Sequence, residues 1–385
     1  MGVPLTPLDL ATLPAAVQKA LGAGPAKMMA ARGMLPMAPS EQAQALYQIA
    51  LDADTALASA ARATAAGLPE RILAGVVADT NLDPRVLDFF ASHIGNHAAL
   101  FDALVLNPTT ADATIAMVAK NAGPREIDLI AQNEQRLLRH PEIIAAMYLN
   151  PKARMSTVDR AVELAVRNNV RVSGVAAWDE IARALSQGVA TSTADGDAMF
   201  AAAAAAFSGD DSAITTGDID SIIAGGEIEE VSDELPVVDE NGDATVAGKK
   251  VPIDKLSIPA KLRLAQMGNA FARSMLIRDP LKLVAIAVIK APSVTDIEAG
   301  RYAKNATLCD DVIRYIASNG KWTKIYAIKV ALCLNPKCPS PDAGRMLPFL
   351  REKDLKFIAK SKGVPSATTA QARRLIASRA GGGGK

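Results

Sequence analysis

Residues 104–156 read LVLNPTTADATIAMVAKNAGPREIDLIAQNEQRLLRHPEIIAAMYLNPKARMS, and residues 288–340 read VIKAPSVTDIEAGRYAKNATLCDDVIRYIASNGKWTKIYAIKVALCLNPKCPS. Both contain Ala-Lys-Asn-Ala, at 119–122 and 303–306, with the Asn 13 residues after a Pro in each case: Pro108 to Asn121, Pro292 to Asn305. Ile-Ala-x-Asn follows at 130–133 and 316–319. Leu-Asn-Pro-Lys closes each block, at 149–152 and 334–337. Three landmarks recur in one order with gaps that differ by two residues or fewer, so one block is present twice. Each copy predicts four helices, over 111–121, 125–132, 135–148 and 156–169, and over 295–305, 307–318, 323–334 and 341–349. Doubled helix pairs of this kind are the grammar of an α-solenoid, in which one pair cannot bury its apolar stripe until neighbours stack on it.

Composition agrees. Half the 385 residues are apolar, mostly Ala, Leu, Ile and Val, and only 4% are aromatic. Ala and Leu favour helix, whereas strands want β-branched and aromatic residues. X-Pro pairs at Asp83-Pro84, Asn107-Pro108, His140-Pro141, Asn150-Pro151, Asp279-Pro280, Ala291-Pro292 and Asn335-Pro336 punctuate the chain. The residue before Pro is pushed out of the α region, so these pairs mark helix boundaries. The Asn residues at these points suit a left-handed helix end or the cap of the next helix. Thr295 and Glu298 have the spacing of a capping box.

The net charge of +1 conceals a division. Between Ala184 and Gly248 there is no Lys or Arg but fourteen Asp or Glu, so the rest of the chain carries +15. Low hydrophobicity with charge of one sign does not support a packed core. The expected organisation is therefore an N-terminal helical segment (1–66), a first helical-repeat domain (67–187), an acidic, largely disordered linker (188–250), a second repeat domain (251–380) and a Gly-rich tail (381–385). Short helices are expected in the linker near 198–207 and 218–223.

LIRDPLKLVAIAVIKAPSVTD (276–296), the AKNA-to-LNPKCP stretch after it, and RLLRHPEIIAAMYLNPKARMSTVDRAVELAVRNN (136–169) resemble bacterial proteins built from HEAT-like or variant leucine-rich helical repeats. The likeness spans about 70–185 and 256–380. It implies an all-α superhelix and brings no catalytic residues with it.

Chemistry-bearing candidates are few. His93 and His97 have the spacing of two ligands on one helix face, with Asp102 as a third group, but Gly95 and Asn96 interrupt the helix between them. A loop or helix boundary is the expected reading. Residues 239–243 (DENGD) start like a calcium loop, whose sixth and twelfth positions require Gly and Glu. Ala244 and Lys250 stand there instead. Cys309, Cys333 and Cys338 are too few for a zinc site and odd in number, which suits a reducing compartment. Cys333 is expected in a helix core and Cys338 in a partly exposed loop. The run 381–384 is terminal and not a phosphate loop. No nucleophile elbow, Walker motif or dinucleotide fingerprint is present, so neither enzyme activity nor a cofactor is expected. Trp178 and Trp322 are expected in the core.

The N-terminus lacks the pattern of a signal peptide, and no uncharged apolar run approaches the roughly 18 residues of a membrane helix. The expected location is the cytoplasm, with no membrane insertion. Basic residues gather at Lys152, Arg154, Arg160 and Arg167, and again at Lys353, Lys356, Lys360, Arg373 and Arg374. Lys353, Lys356 and Lys360 follow i, i+3, i+7 on one helix face. Such a stripe contacts either solvent or the phosphates of a polyanion. Few aromatics interleave with it, which argues against base stacking. The expected function is a scaffold or adaptor that binds a protein partner along the superhelix. The alternative is nucleic-acid binding by the basic body, with the acidic segment as an autoinhibitory mimic.

Overall fold

A computed structural model describes residues 3–22, 24–94, 97–186, 194–207, 244–246, 249–251 and 253–381. The described chain is an all-α helical-repeat fold that divides into two compact units, 1–174 and 175–385.

In the first unit twelve short helices follow one another: α1 (Ala15–Ala20), α2 (Pro25–Ala31), α3 (Pro39–Ala50), α4 (Thr55–Ala66), α5 (Glu70–Ala78), α6 (Pro84–Ala91), α7 (Ala98–Leu106), α8 (Asp112–Ala119), α9 (Pro124–Ala131), α10 (Glu134–Arg139), α11 (Glu142–Tyr148) and α12 (Met155–Arg167). α3 packs on α5, α5 on α7 and α7 on α9, while α6 packs on α8 and α8 on α11. Alternate helices thus form two layers, and Leu104, Ile115, Ile127, Ile143 and Val158 are among the residues buried between them. The predicted helix 135–148 is two helices. Pro141 cannot supply the N–H that a continuous helix needs, so α10 stops at Arg139.

The second unit holds α13 (Trp178–Ser186), α14 (Ala194–Ala206), a two-stranded antiparallel hairpin (β1, Ala244–Val246; β2, Lys249–Val251), then α15 (Ile258–Met267), α16 (Ala270–Leu276), α17 (Lys282–Ile289), α18 (Asp296–Lys304), α19 (Asp310–Ser318), α20 (Tyr326–Leu334), α21 (Ser340–Met346), α22 (Glu352–Lys360) and α23 (Ser366–Gly381). Here too α15 packs on α17, α17 on α19, α18 on α20 and α21 on α23.

The division between units falls at Gly174 and Val175, not in the acidic segment. α13, expected in the first repeat domain, packs on α15 and α17, and Glu180 is ion-paired to Lys290 at 2.9 Å. The expected helix near 198–207 forms as α14 and belongs to the second unit's core. Phe200 lies under the Arg263 guanidinium at 4.4 Å, Phe207 stacks on Phe271, and the Asn269 N–H donates to the Phe207 carbonyl at 3.0 Å. Full burial of one Phe is worth about 1.5–3 kcal/mol, which holds α14 in place, and its acidic first turn complements the helix dipole. Residues 244–246 and 249–250, inside the linker expected to be largely disordered, instead pair as the β1–β2 hairpin. The expected helix near 218–223 and the disorder expected for residues 188–193, 208–243 and 247–248 lie outside the described residues.

The Asn-Pro pairs do not adopt the left-handed conformation. Asn107 (φ −67°, ψ 122°) and Asn335 (φ −76°, ψ 125°) are extended, as the following Pro requires. Only Asn169, at φ 55°, is left-handed among the described non-Gly residues. The Asn side chains instead reach back to an earlier helix. Asn150 Nδ2 donates to the carbonyls of Ala119 and Ala122, both at 2.8 Å, and its Oδ1 accepts from the Lys152 N–H at 2.9 Å. Asn335 repeats this on Ala303 (2.8 Å) and Asn305 (3.1 Å), with Oδ1 accepting from the Lys337 N–H. Asn107 does the same on Val77 (2.8 Å) and Asp79 (3.0 Å), with Thr109 as the donor to Oδ1. All three side chains are buried.

Two charged residues also work from inside. Arg136 donates to the Val105 carbonyl at 3.0 Å, closing the end of α7, and lies 3.1 Å from Asp112. Arg273, with no exposed surface, holds Glu298 through two bonds of 2.8 and 3.0 Å and donates to the Gly268 carbonyl and the Ser293 hydroxyl. The Thr295–Glu298 capping box forms as expected. Trp178 and Trp322 are buried as expected, and the Trp322 indole donates to Asp296. Cys338, expected to be partly exposed, is 4% exposed, in a turn closed by its N–H donating to the Asn335 carbonyl.

Asn150→Ala removes two donors and leaves two buried carbonyls without them. Each orphaned group costs about 1–3 kcal/mol, so a loss of about 2–6 kcal/mol is expected in urea unfolding of the first unit. Asn335→Ala should act likewise on the second; a loss below about 0.5 kcal/mol, the range of ordinary surface changes, would contradict the bracket. Burial pushes the Cys333 and Cys338 thiols up to about 12. At pH 8 a disulfide reagent should therefore titrate Cys309 alone in the folded chain and all three thiols in guanidinium; two fast thiols in the native chain would refute the burial.

Candidate partner-binding surface

The first basic group divides on inspection. Arg154 stands just before α12, makes no side-chain cap there, and is held by Asp128, which also accepts from Thr157. Arg167 is paired with Glu163 one turn away. Arg160 and Lys152 are exposed, Arg160 on α12 and Lys152 in the loop before it. Two of the four charges thus already carry a carboxylate, and the group does not form a continuous basic stripe.

The second group divides differently. α22 buries Leu355, Ile358 and Ala359 against α23 and α20. The 3.6-residue turn then places Lys353, Lys356 and Lys360 together on the outer face, and all three are exposed. Lys356 pairs with Glu352 at 2.5 Å, an exposed contact that a partner can displace easily. Arg373 faces inward: its guanidinium donates to the Ala359 carbonyl at 3.1 and 3.3 Å, closing the end of α22. Arg374 lines a small cavity between α21 and α23.

Two aromatic residues accompany the lysines. Phe357 lies on the same face of α22 and is 63% exposed, and Phe349, in the short turn before α22, is 69% exposed. Lys329 approaches the Phe349 ring at 5.3 Å, and Arg351 lies over the Tyr326 ring at 4.9 Å. The Tyr326 hydroxyl accepts from the Arg351 N–H and donates to Asp354, fixing the turn that carries this face. The sequence does contain the signal, since Phe357 follows Lys353 by four residues and precedes Lys360 by three. The expectation that few aromatics interleave with these charges does not hold on this helix.

The histidines do not converge on a metal. His93 ends α6 edge-on to Phe89 and Phe90, and burial pulls its pKa below the usual imidazole value. His97 lies at the start of α7 with Nδ1 3.6 Å from Glu70. Asp102 is held by both terminal nitrogens of Arg125, at 3.0 and 2.6 Å. Among the described residues no group of three or more His, Cys, Asp or Glu is placed to hold an ion. The motif at 239–243 lies outside the described residues, as do 382–385. Among the described residues no helix is long and apolar enough to cross a membrane. No protein-family model matches the chain, and no curated protein and no solved structure matches it either.

Proposed function

We propose that this chain is a non-enzymatic helical-repeat scaffold or adaptor of the cytoplasm that binds a protein partner through the outer face of α22 and the turn before it. The observation that carries this reading is the exposure of Phe349 and Phe357 beside Lys353, Lys356 and Lys360. Large aromatics desolvated at the centre of an interface supply most of its energy. Lysines around them steer an acidic partner and set its register. The matching partner presents apolar side chains flanked by Asp or Glu.

A second reading uses the same face. A Phe between lysines offers a base a stacking surface with phosphate contacts around it. Nucleic-acid binding of this kind falls steeply with salt.

Because both Phe side chains are exposed, Phe349→Ser with Phe357→Ser should leave the unfolding transition within about 0.5 kcal/mol of wild type. Proteins captured by the wild-type chain and lost by this double variant are the expected outcome; an unchanged capture profile would overturn the reading. Anisotropy of a 20-nucleotide single strand at 50 and 200 mM salt checks the second reading. It requires strong salt dependence, loss of binding when the three lysines become Glu, and tighter binding when residues 208–243 are deleted. That deletion spares α14, which belongs to the core.

A further inference from the structure

Past Asp354 the chain becomes wholly basic. Residues 355–385 hold seven Lys or Arg and no Asp or Glu, and residues 249–385 hold 26 Lys or Arg against nine Asp or Glu. α23 therefore brings no acid of its own to neutralise its three arginines, and those arginines differ in what they do. Arg373 is committed to the Ala359 carbonyl, and Arg379 to those of Leu350 at 2.9 Å and Pro348 at 2.6 Å. Arg374 is exposed, and among the described residues neither a backbone carbonyl nor a carboxylate holds it.

Arg374 lines a cavity of about 370 Å³ between α21 and α23, a volume at the low end of ligand pockets. Arg345 of α21 lines it too, and shares its charge with Asp342. Gln371 adds an amide that lies close against Gly344, where a Cβ would meet Gln371 Oε1 at 2.7 Å. Pro341, Pro348 and Leu375 complete the lining. The prolines bring no N–H, so the groups that can hold an anion are the two guanidiniums and the amide. No Asp or Glu lines the cavity, and Asp342 offsets one guanidinium, so one positive charge stays unmatched.

The cavity adjoins the face assigned to a partner. Pro348 lines it, and the next residue is the exposed Phe349. Arg379 ties the carbonyls on both sides of Phe349 to α23, so the ring and the cavity share one fixed turn. We propose that this cavity seats the side-chain carboxylate of an Asp or Glu in the partner segment that packs on Phe349. The inference rests on the reading of α22 as a partner-binding face. A carboxylate carries the one negative charge that the lining leaves unmatched, and its two oxygens suit the planar fork of Arg374. Pro341, Pro348 and Leu375 offer its methylenes an apolar wall.

The test uses the full chain labelled with nitrogen-15 and three peptides: acetyl-Phe-Gly-Glu-amide, its neutral isostere with Gln, and its phosphoserine counterpart. The Glu peptide should shift the side-chain resonances of Gln371 and Arg374 saturably, and bind about tenfold tighter than the Gln peptide, the worth of one charge-assisted contact. Arg374→Met should remove that preference. Arg373→Met, which frees the end of α22, should lower stability and leave the preference intact. The proposal is overturned by absence of saturable shifts, by equal affinity for the Glu and Gln peptides, by a Glu preference that survives Arg374→Met, or by tighter binding of the phosphoserine peptide. Phe349→Ser separates the two readings and should weaken the Glu and Gln peptides by one common factor. If both affinities are unchanged while the Glu preference persists, the α22 reading fails and the carboxylate seat stands. If both weaken but no Glu preference exists, the seat fails and the α22 reading stands. Arg374 and Phe349 are both exposed, so neither replacement removes the fold that the comparison needs.

Discussion

A buried asparagine amide that satisfies two carbonyls of an earlier helix is the contact on which this repeat depends. A helix leaves its last carbonyls without intrahelical partners, and inside a stack of short helices water is not available to serve them. Asn107, Asn150 and Asn335 each donate two hydrogen bonds to such carbonyls, 28 to 32 residues back along the chain. The same amide oxygen then turns the chain by accepting an N–H two residues ahead. One side chain ends a distant helix and starts a local turn, which fixes the spacing of the repeat. Aspartate could make the turn but not the donations, and leucine could do neither.

This explains why the duplication was visible in the sequence. Ala-Lys-Asn-Ala and Leu-Asn-Pro-Lys are the two halves of one contact, since the Asn of the second motif bonds to backbone of the first. A third bracket, at Asn107, went unseen because its acceptor segment around Val77 and Asp79 does not carry the Ala-Lys-Asn-Ala sequence of the other two. Helix existence was legible from alanine content and X-Pro pairs. The break at Pro141 was underweighted against the apolar periodicity around it. The unit boundary was missed because acidity is a property of composition, whereas α14 is held by Phe200 and Phe207, two residues among many alanines.

The candidate surface was half legible. Lysine spacing on α22 could be read directly, but which basic residues face inward could not. Arg373 and Arg379 satisfy backbone carbonyls of Ala359, Leu350 and Pro348. Arg136 and Arg273 are buried in the same service. A long side chain with a fork of donors suits a helix end as well as a phosphate, and sequence alone does not separate the two uses. Once those arginines are assigned to helix ends, the exposed lysines and the two phenylalanines stand out as the part of the second unit not committed to its own stability.

The position of α14 has a consequence for how the chain comes apart. Because α14 and α15 pack in one unit, the chain on both sides of residues 208–243 belongs to the same body. A segment whose two ends are anchored in one body does not set the distance between two. A protease that cut within residues 208–243 would therefore produce two fragments joined near Phe200, Phe207, Arg263 and Phe271. They would migrate as one particle in native sizing and separate only in denaturant.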